Sequence, residues 1–275
     1  NFDEEKITGG KNGLGAKLTN IFSTKFTVET IDRHSKLKYY QEFRDNMSIV
    51  GEPVITELSG TSSKIEPYTK ISFIPDYNRF NVCGLEDTLI RLIKKRAYDM
   101  YACASGELNI YFNDELINLT SFVDYMNLYL DKNIFTVSVK VNERWEIGAC
   151  LSPNFTFQQI SFVNGIYTQK GGKHVEFILN QITRKMIEFI EKKKKITVNP
   201  NTIKEQLFLF LRCDIVNPAF DSQTKEYLTT VPAKFGSKFT ISDKLIEKIA
   251  KLDIVDKAIR LSEFKDSKVL SKTDG

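Results

Sequence analysis

Apolar residues recur along the 275-residue chain with two different periods. Spacings of three and four residues are typical of one face of a helix, whereas alternation of β-branched and aromatic residues is typical of strands. The predicted strands are 25–31, 37–43, 54–58, 68–74, 135–141, 145–151 and 159–163, a short hairpin is predicted within 108–119, and the predicted helices are 16–23, 86–103, 121–130, 174–191 and 242–264. This irregular alternation favours an α+β fold over a doubly wound parallel sheet.

The most apolar segment lies within residues 206–216, where residues 207–211 read LFLFL. A run without polar positions predicts a strand that is covered on both faces. The first long polar break lies at 75–81 and predicts a domain boundary near residue 80.

Composition is that of an ordinary globular protein, with 41% hydrophobic residues and a net charge of +4. That charge is compatible with a nucleic-acid partner but does not require one. The four cysteines form no CxxC pair, so we expect buried thiols in a reducing compartment. No apolar stretch reaches about 18 residues, so we expect a soluble, intracellular protein without a membrane partner. Because the chain begins with Asn1 and ends in a turn-like sequence, we expect a piece of something longer.

Residues 9–17 place four glycines within seven positions, directly before a predicted helix. Glycines let backbone amides approach an anion, and a helix N-terminus adds unpaired N–H groups, so the segment is a candidate phosphate site. It matches neither GxxxxGK[ST], because Ala16 intrudes before Lys17, nor GxGxxG, because Leu18 takes the third glycine position. A glycine-rich turn that merely starts a helix is an equally good interpretation of the composition.

Two further features carry lysines. Lys225 follows the apolar strand on the polar loop 221–225 and could reach a terminal phosphate, although most lysines on such loops are simply solvated. Residues 192–195 are four lysines at the end of a predicted helix, where they suit either the helix dipole or duplex DNA. His34 and His174 lie far apart without a second ligand at metal spacing, so we interpret both as structural.

Several blocks of sequence, in order along the chain, resemble eukaryotic-type DNA topoisomerase II. The first, KITGGKNGLGAKL at 6–18, continues into NIFSTKF at 20–26 and resembles the ATP-binding region of that family. The other blocks are RAYD at 96–99, RWE at 144–146, FQQISFVN at 157–164, KGGKHV at 170–175 and NPAFDSQTKE at 217–226. The resemblance therefore covers essentially the whole chain.

The resemblance implies a fold and a domain order. Residues 1–80 would be the C-terminal part of a GHKL ATPase sandwich, and residues 81–265 a transducer domain similar to ribosomal S5 domain 2. Residues 266–275 would begin a linker toward a Toprim domain outside the chain. By the same resemblance, the general-base Glu and the magnesium-binding Asn precede Asn1, and the DNA-cleaving Tyr follows Gly275.

The resemblance also assigns residues to ATP and to DNA. Lys225 would be the switch lysine that touches the γ-phosphate, and no metal ligand is expected within the chain. Contacts with ATP are implied for Asn1, Gly10, Lys11, Asn12, Gly13, Leu14, Gly15, Ala16, Lys17, Gln223, Thr224 and Lys225, and contacts with DNA for Lys192, Lys193 and Lys194.

Taken as a whole, the resemblance implies an ATP- and Mg²⁺-dependent type II topoisomerase, a nuclear homodimer that passes one DNA duplex through a break in another; an organellar or viral source stays open. This piece alone should not turn over ATP. Lys11 and Leu14 depart from the family, which usually has Arg and Tyr there, and Lys11-Asn12 differs from the Leu-His of the gyrase branch. The alternatives are another GHKL ATPase, such as a mismatch-repair or Hsp90-like enzyme, and a non-enzymatic transducer-like module.

Overall fold

A computed structural model describes residues 6–10, 13–61, 64–104, 108–237 and 239–273, with side chains up to Phe264. Its contacts divide the chain into two units, one of Gly10–Arg91 and one of Asn1–Gly9 with Leu92–Gly275. The domain limits expected near residues 80 and 265 stay predictions.

The unit Gly10–Arg91 is built on one antiparallel hairpin. Strands β1 (Ser23–Asp32) and β2 (Leu37–Arg44) pair from Lys25 to Asp32 and along the whole of β2, as their alternating sequences predict. Asp32 closes the turn between them, because its carboxylate accepts hydrogen bonds from the backbone N–H groups of His34 and Ser35 at 3.0 and 3.1 Å. Phe26 is 3% exposed and anchors this sheet. The unit also contains α1 (Leu14–Ile21), β3 (Ile49–Val50), β4 (Val54–Glu57) and β5 (Tyr68–Pro75), which pairs with the free edge of β1.

The larger unit is organised around a mixed five-stranded sheet with the order β11-β10-β13-β9-β8. Strands β10 and β13 are parallel, and the other neighbours are antiparallel, so the α+β prediction is confirmed. From residue 87 onward the elements are α2 (Asp87–Ala104), β6 (Tyr111–Phe112), β7 (Glu115–Leu116), α3 (Phe122–Asn127), β8 (Thr136–Asn142), β9 (Trp145–Leu151), β10 (Gln158–Val163), β11 (Ile166–Tyr167), β12 (Gly171–Gly172), α4 (Lys173–Lys194), α5 (Pro200–Glu205), β13 (Leu207–Cys213), β14 (Tyr227–Leu228), α6 (Asp243–Ile249) and α7 (Val255–Thr273).

The LFLFL run forms β13, and every residue of this strand is buried. Because side chains alternate across a strand, Leu207, Leu209 and Leu211 enter one core, which helices α4 to α7 complete. Phe208 and Phe210 enter a second, smaller core formed with α3 and the end of α2. Each such side chain contributes about 2 kcal/mol by leaving water. The prediction of a strand covered on both faces is confirmed.

Two of the recognisable blocks serve these cores. Asp99 of RAYD is 4% exposed, and its carboxylate accepts hydrogen bonds from Lys95 at 2.9 and 2.8 Å and from the Tyr125 hydroxyl at 2.8 Å. Trp145 of RWE is fully buried and donates its indole N–H to Ser237 Oγ at 2.6 Å. These residues hold the fold together and need no ligand to explain them.

Two differences from the sequence predictions have a clear physical reason. The helical tail is interrupted at Ala250–Ile254, where Asp253 has a φ of 60°, a left-handed conformation that breaks the helix between α6 and α7. The expectation of buried thiols is wrong for Cys83, which is exposed because it lies in the polar segment between β5 and α2. Cys150 and Cys213 are buried, and all four thiols are free. Among the described helices, none has the length and apolar character needed to cross a membrane.

Candidate functional site

The glycine-rich segment leads into an open helix N-terminus. Gly13 precedes α1 with a φ of 63°, and no side chain caps the first turn. A Cβ atom added at Gly10, Gly13 or Gly15 would meet nothing within 4 Å, so packing within the described structure does not require these glycines. Their effect is to leave the backbone accessible, as an anion-binding helix terminus requires.

Sequence-predicted residues of this segment are placed as follows. Leu14, Ala16 and Lys17 lie on the first turn of α1 and are exposed. The predicted contacts at Asn1, Lys11 and Asn12 fall outside the described residues.

Lys225 reaches back to the beginning of the glycine-rich segment. Its ammonium donates a hydrogen bond to the Gly9 carbonyl at 2.8 Å, although 216 positions separate the two residues. Lys225 is half-buried and forms no ion pair with any carboxylate in the described part of the chain. An ammonium that one neutral carbonyl holds in place retains donors for an anion.

The loop that carries Lys225 has a defined local geometry. Lys225 has a φ of 58°, and its N–H donates to the Ser222 carbonyl at 3.1 Å. The hydroxyls of Ser222 and Thr224 are 2.8 Å apart and share a hydrogen bond. Gln223 and Thr224 are exposed on this loop beside Lys225, as the sequence predicts.

The KGGKHV block holds the far end of this loop. Gly171 and Gly172 form β12, which pairs in parallel with Tyr227 and Leu228 of β14. A Cβ at Gly172 would lie 2.4 Å from the Leu228 backbone nitrogen, so only glycine permits this approach. Lys170 adds a second link, because its N–H donates to the Glu226 carbonyl at 2.9 Å and its ammonium forms an ion pair with the Glu226 carboxylate.

His174 lies directly after β12 in the sequence and is buried beside Thr168. It is fully buried at the start of α4, and its Nε2 lies 3.0 Å from the Thr168 hydroxyl, which contacts Ser161. Burial lowers the pKa of His174 to about 3, so the imidazole is neutral at physiological pH. The interpretation of His174 as a structural residue agrees with this environment.

The lysine run lies elsewhere. Lys192, Lys193 and Lys194 form the last turn of α4, which ends at Lys195 with a φ of 60°. Lys194 lies 3.9 Å from the Asp256 carboxylate, whereas Lys192 and Lys193 pair with no carboxylate in the described ranges. Since α4 has 22 residues, the run lies roughly 30 Å along the helix from the KGGKHV block. The lysine run and Lys225 are therefore separate features.

From the sequence, no contact was assigned to three contributing residues. Gly9 supplies the acceptor for Lys225, Asn217 pairs with Lys6, and Asn164 fixes the end of β13. The dipeptide Asn164-Gly165 between two apolar runs is a hairpin signal that could have directed attention to this place. No group of three or more His, Cys, Asp or Glu residues within the described residues could hold a metal ion, so these residues do not fit a Mg²⁺ site.

Comparison with known proteins gives consistent matches. The family model described as DNA gyrase B matches residues 118–270. DNA topoisomerase 2 of Pisum sativum is 45% identical over 285 residues, which cover 100% of this chain and 19% of the relative. Among solved structures, the ATPase and transducer domains of DNA topoisomerase II from Balamuthia mandrillaris match with a TM-score of 0.89 and 42% identity, covering 97% of this chain and 68% of that one. The ATPase region of Saccharomyces cerevisiae topoisomerase II matches with a TM-score of 0.86 and 40% identity, covering 96% and 67%.

The fold and these matches define the class: a segment with the α+β architecture of GHKL ATPase and transducer regions. The chain belongs to the DNA gyrase B family of type IIA topoisomerases, and its matched relatives are of the eukaryotic DNA topoisomerase 2 type. The chain spans about a fifth of the length of the curated relatives that it matches.

Burial of His174 predicts a specific pH dependence of stability. Because the pKa of His174 is about 3 in the folded chain and about 6.5 when unfolded, its contribution to stability is complete above pH ~6.5 and declines as the pH falls from there toward 3. Between about pH 7 and pH 5.5 the unfolding free energy should fall by about 1 kcal/mol through this group. Urea unfolding of His174→Gln should show the loss of this dependence, whereas the exposed-site control His34→Gln should keep it. Equal pH dependence in wild type and His174→Gln would contradict the assignment.

Proposed function

We propose that the chain is part of an ATP-dependent type II DNA topoisomerase, which passes one duplex through a transient double-strand break in another. The observation that carries this proposal is the half-buried Lys225 ammonium, which binds the Gly9 carbonyl and forms no ion pair among the described residues. The similarity to DNA topoisomerase 2 and to the ATPase region of topoisomerase II suggests the reaction and the nucleotide.

The glycine-rich segment is proposed to bind the ATP phosphates. The N-terminus of α1 has no side-chain cap, its first-turn residues are exposed and none of them is acidic, which supports this role because backbone N–H groups and the helix dipole both favour an anion. The proposed contacts are Asn1, Gly10, Lys11, Asn12, Gly13, Leu14, Gly15, Ala16 and Lys17. Lys11 keeps the charge of the family's usual arginine but lacks its planar fork, so its phosphate contact is less directional.

Lys225 is proposed to contact the γ-phosphate, with Gln223 and Thr224 beside it. A preorganised ammonium stabilises the negative charge that develops on the transferred phosphoryl group, and it does so without reorganisation at the moment of reaction. The left-handed backbone at Lys225 and the pairing of β12 with β14 support preorganisation. Mg²⁺ would be held by residues outside this chain.

Lys192, Lys193 and Lys194 are proposed to contact the DNA backbone. Lysines that protrude from a helix end neutralise phosphates without reading sequence, which suits an enzyme that handles any duplex. Homodimerisation and a nuclear location are proposed from the family resemblance. Whole-chain matches to topoisomerases favour this function over another GHKL ATPase or a non-enzymatic module.

The role of Lys225 can be tested in a longer protein that contains this chain and hydrolyses ATP. Lys225→Ala should lower kcat for ATP hydrolysis by about 100-fold, because one charge-stabilising donor is lost. Its melting temperature should stay close to that of the wild type, since the side chain makes one surface-proximal hydrogen bond. Lys234→Ala, at an exposed lysine of the same unit, is the control and should leave kcat unchanged. Unchanged hydrolysis by Lys225→Ala would rule out the proposed role.

The DNA contact can be tested on the chain itself by fluorescence anisotropy with a short duplex. Replacing Lys192, Lys193 and Lys194 with Ala should weaken binding and reduce the slope of log K against log salt by about 0.9 for each phosphate contact removed. A matched control replaces Lys132, Lys140 and Lys234, which removes the same charge and, like the first set, includes one lysine in a surface ion pair. If both triple variants change the slope equally, the effect is one of net charge and the proposed contact is wrong.

A further inference from the structure

Asn164 lies in the turn between β10 and β11, which contacts the backbone after β13 and also Gly9. It follows β10 in a two-residue turn with Gly165 and has a φ of 50°, a conformation that asparagine tolerates better than most residues. Its side chain donates to the Ile215 carbonyl at 2.8 Å and accepts from the Ile215 N–H at 2.7 Å. Its own N–H donates to the Cys213 carbonyl at 2.9 Å. These three bonds fix the direction in which the chain leaves β13.

The chain that leaves β13 next binds the segment before the glycine-rich loop. Asn217 lies two residues after Ile215, and its N–H donates to the Lys6 carbonyl at 2.9 Å. Its side-chain oxygen accepts from the Lys6 N–H at 3.3 Å. Residues 6–9 are thereby held against the exit of β13.

Gly9 is held by the same turn from the other side. A Cβ atom at Gly9 would lie 2.6 Å from Ile166 Cδ1 and 2.9 Å from the Asn164 carbonyl oxygen. Gly9 therefore packs directly on the turn, and only a residue without a side chain fits there. The Gly9 carbonyl in turn accepts the hydrogen bond from Lys225.

The positions of the Lys225 ammonium and of the Gly9 carbonyl thus both depend on Asn164. The loop that carries Lys225 begins where Asn164 fixes the end of β13, and the acceptor Gly9 rests on the Asn164 backbone. We propose that Asn164 is a positioning residue that holds the Lys225 ammonium where it meets the terminal phosphate of ATP. This proposal rests on the proposed function, since it presupposes that Lys225 recognises that phosphate.

The consequence is that Asn164 affects discrimination between nucleotides rather than nucleotide binding in general. A ligand that lacks the γ-phosphate gains nothing from Lys225, so its affinity should not depend on Asn164. A ligand that has the γ-phosphate loses a charge-assisted hydrogen bond when the ammonium is misplaced. Loss of the Asn164 side chain should therefore reduce the preference for triphosphate over diphosphate.

The experiment measures, by calorimetry on the longer protein, the ratio of affinities for a non-hydrolysable ATP analogue and ADP. Asn164→Gly removes the two side-chain bonds but keeps a residue suited to the left-handed turn, and it should lower this ratio about tenfold with unchanged ADP affinity. Asn113→Gly is the matched control, because Asn113 has the same φ of 50° in another hairpin turn and is exposed. Asn164→Asp keeps an oxygen that accepts from the Ile215 N–H but loses the amide that donates to the Ile215 carbonyl, so it should give an intermediate ratio. It replaces Asn164→Gly in the experiment if that variant does not fold.

The Lys225→Ala variant separates the two proposals. If it loses the preference for the ATP analogue and Asn164→Gly does so to a similar extent, with no further loss in the double variant, the positioning role is supported. If Lys225→Ala loses the preference and neither Asn164 variant does, the positioning role is wrong and the proposed function stands. If Lys225→Ala keeps the preference, the proposed role of Lys225 fails, and the positioning role fails with it.

Discussion

Burial of β13 is the constraint on which the larger unit depends. Its leucines and phenylalanines alternate between two cores, so the strand cannot shift by one residue without exchanging the two sets of side chains. Parallel pairing with β10 and antiparallel pairing with β9 then set its register on both sides. Because the strand cannot move, the point at which the chain leaves it at Cys213 is fixed as well.

The contacts that position Lys225 depend on the fixed point at which the chain leaves β13. The Asn164 side chain binds the backbone just after β13. Gly9 packs on the Asn164 turn, and its carbonyl accepts the hydrogen bond from the Lys225 ammonium. The KGGKHV block holds the other end of the loop through a backbone approach that only Gly172 permits. The loop that carries Lys225 is therefore fixed at both ends, and its lysine has a defined position.

Most of the long helices and strands could be predicted from the sequence, whereas the long-range contacts around Lys225 could not. Periodicity predicts β9 and β13 because the burial of a strand on one or both faces depends on which of its own consecutive residues are apolar. The hydrogen bond between Lys225 and Gly9 joins residues 216 positions apart, and no local pattern encodes such a contact. The resemblance to topoisomerase II named Lys225 and the glycine-rich segment, but it named neither the carbonyl that holds Lys225 nor the Asn164 turn. Periodicity also predicted α2 without indicating that Leu89, Ile90 and Ile93 are exposed.

We propose above all that Lys225 is a sensor of the terminal phosphate of ATP. The most direct test is a crystal structure of the longer, ATP-hydrolysing protein with a non-hydrolysable ATP analogue. We expect Lys225 Nζ to lie within about 3 Å of a γ-phosphate oxygen, the distance of a charge-assisted hydrogen bond. A bound analogue whose γ-phosphate is contacted by other residues, with the Lys225 ammonium still on Gly9 alone, would contradict it.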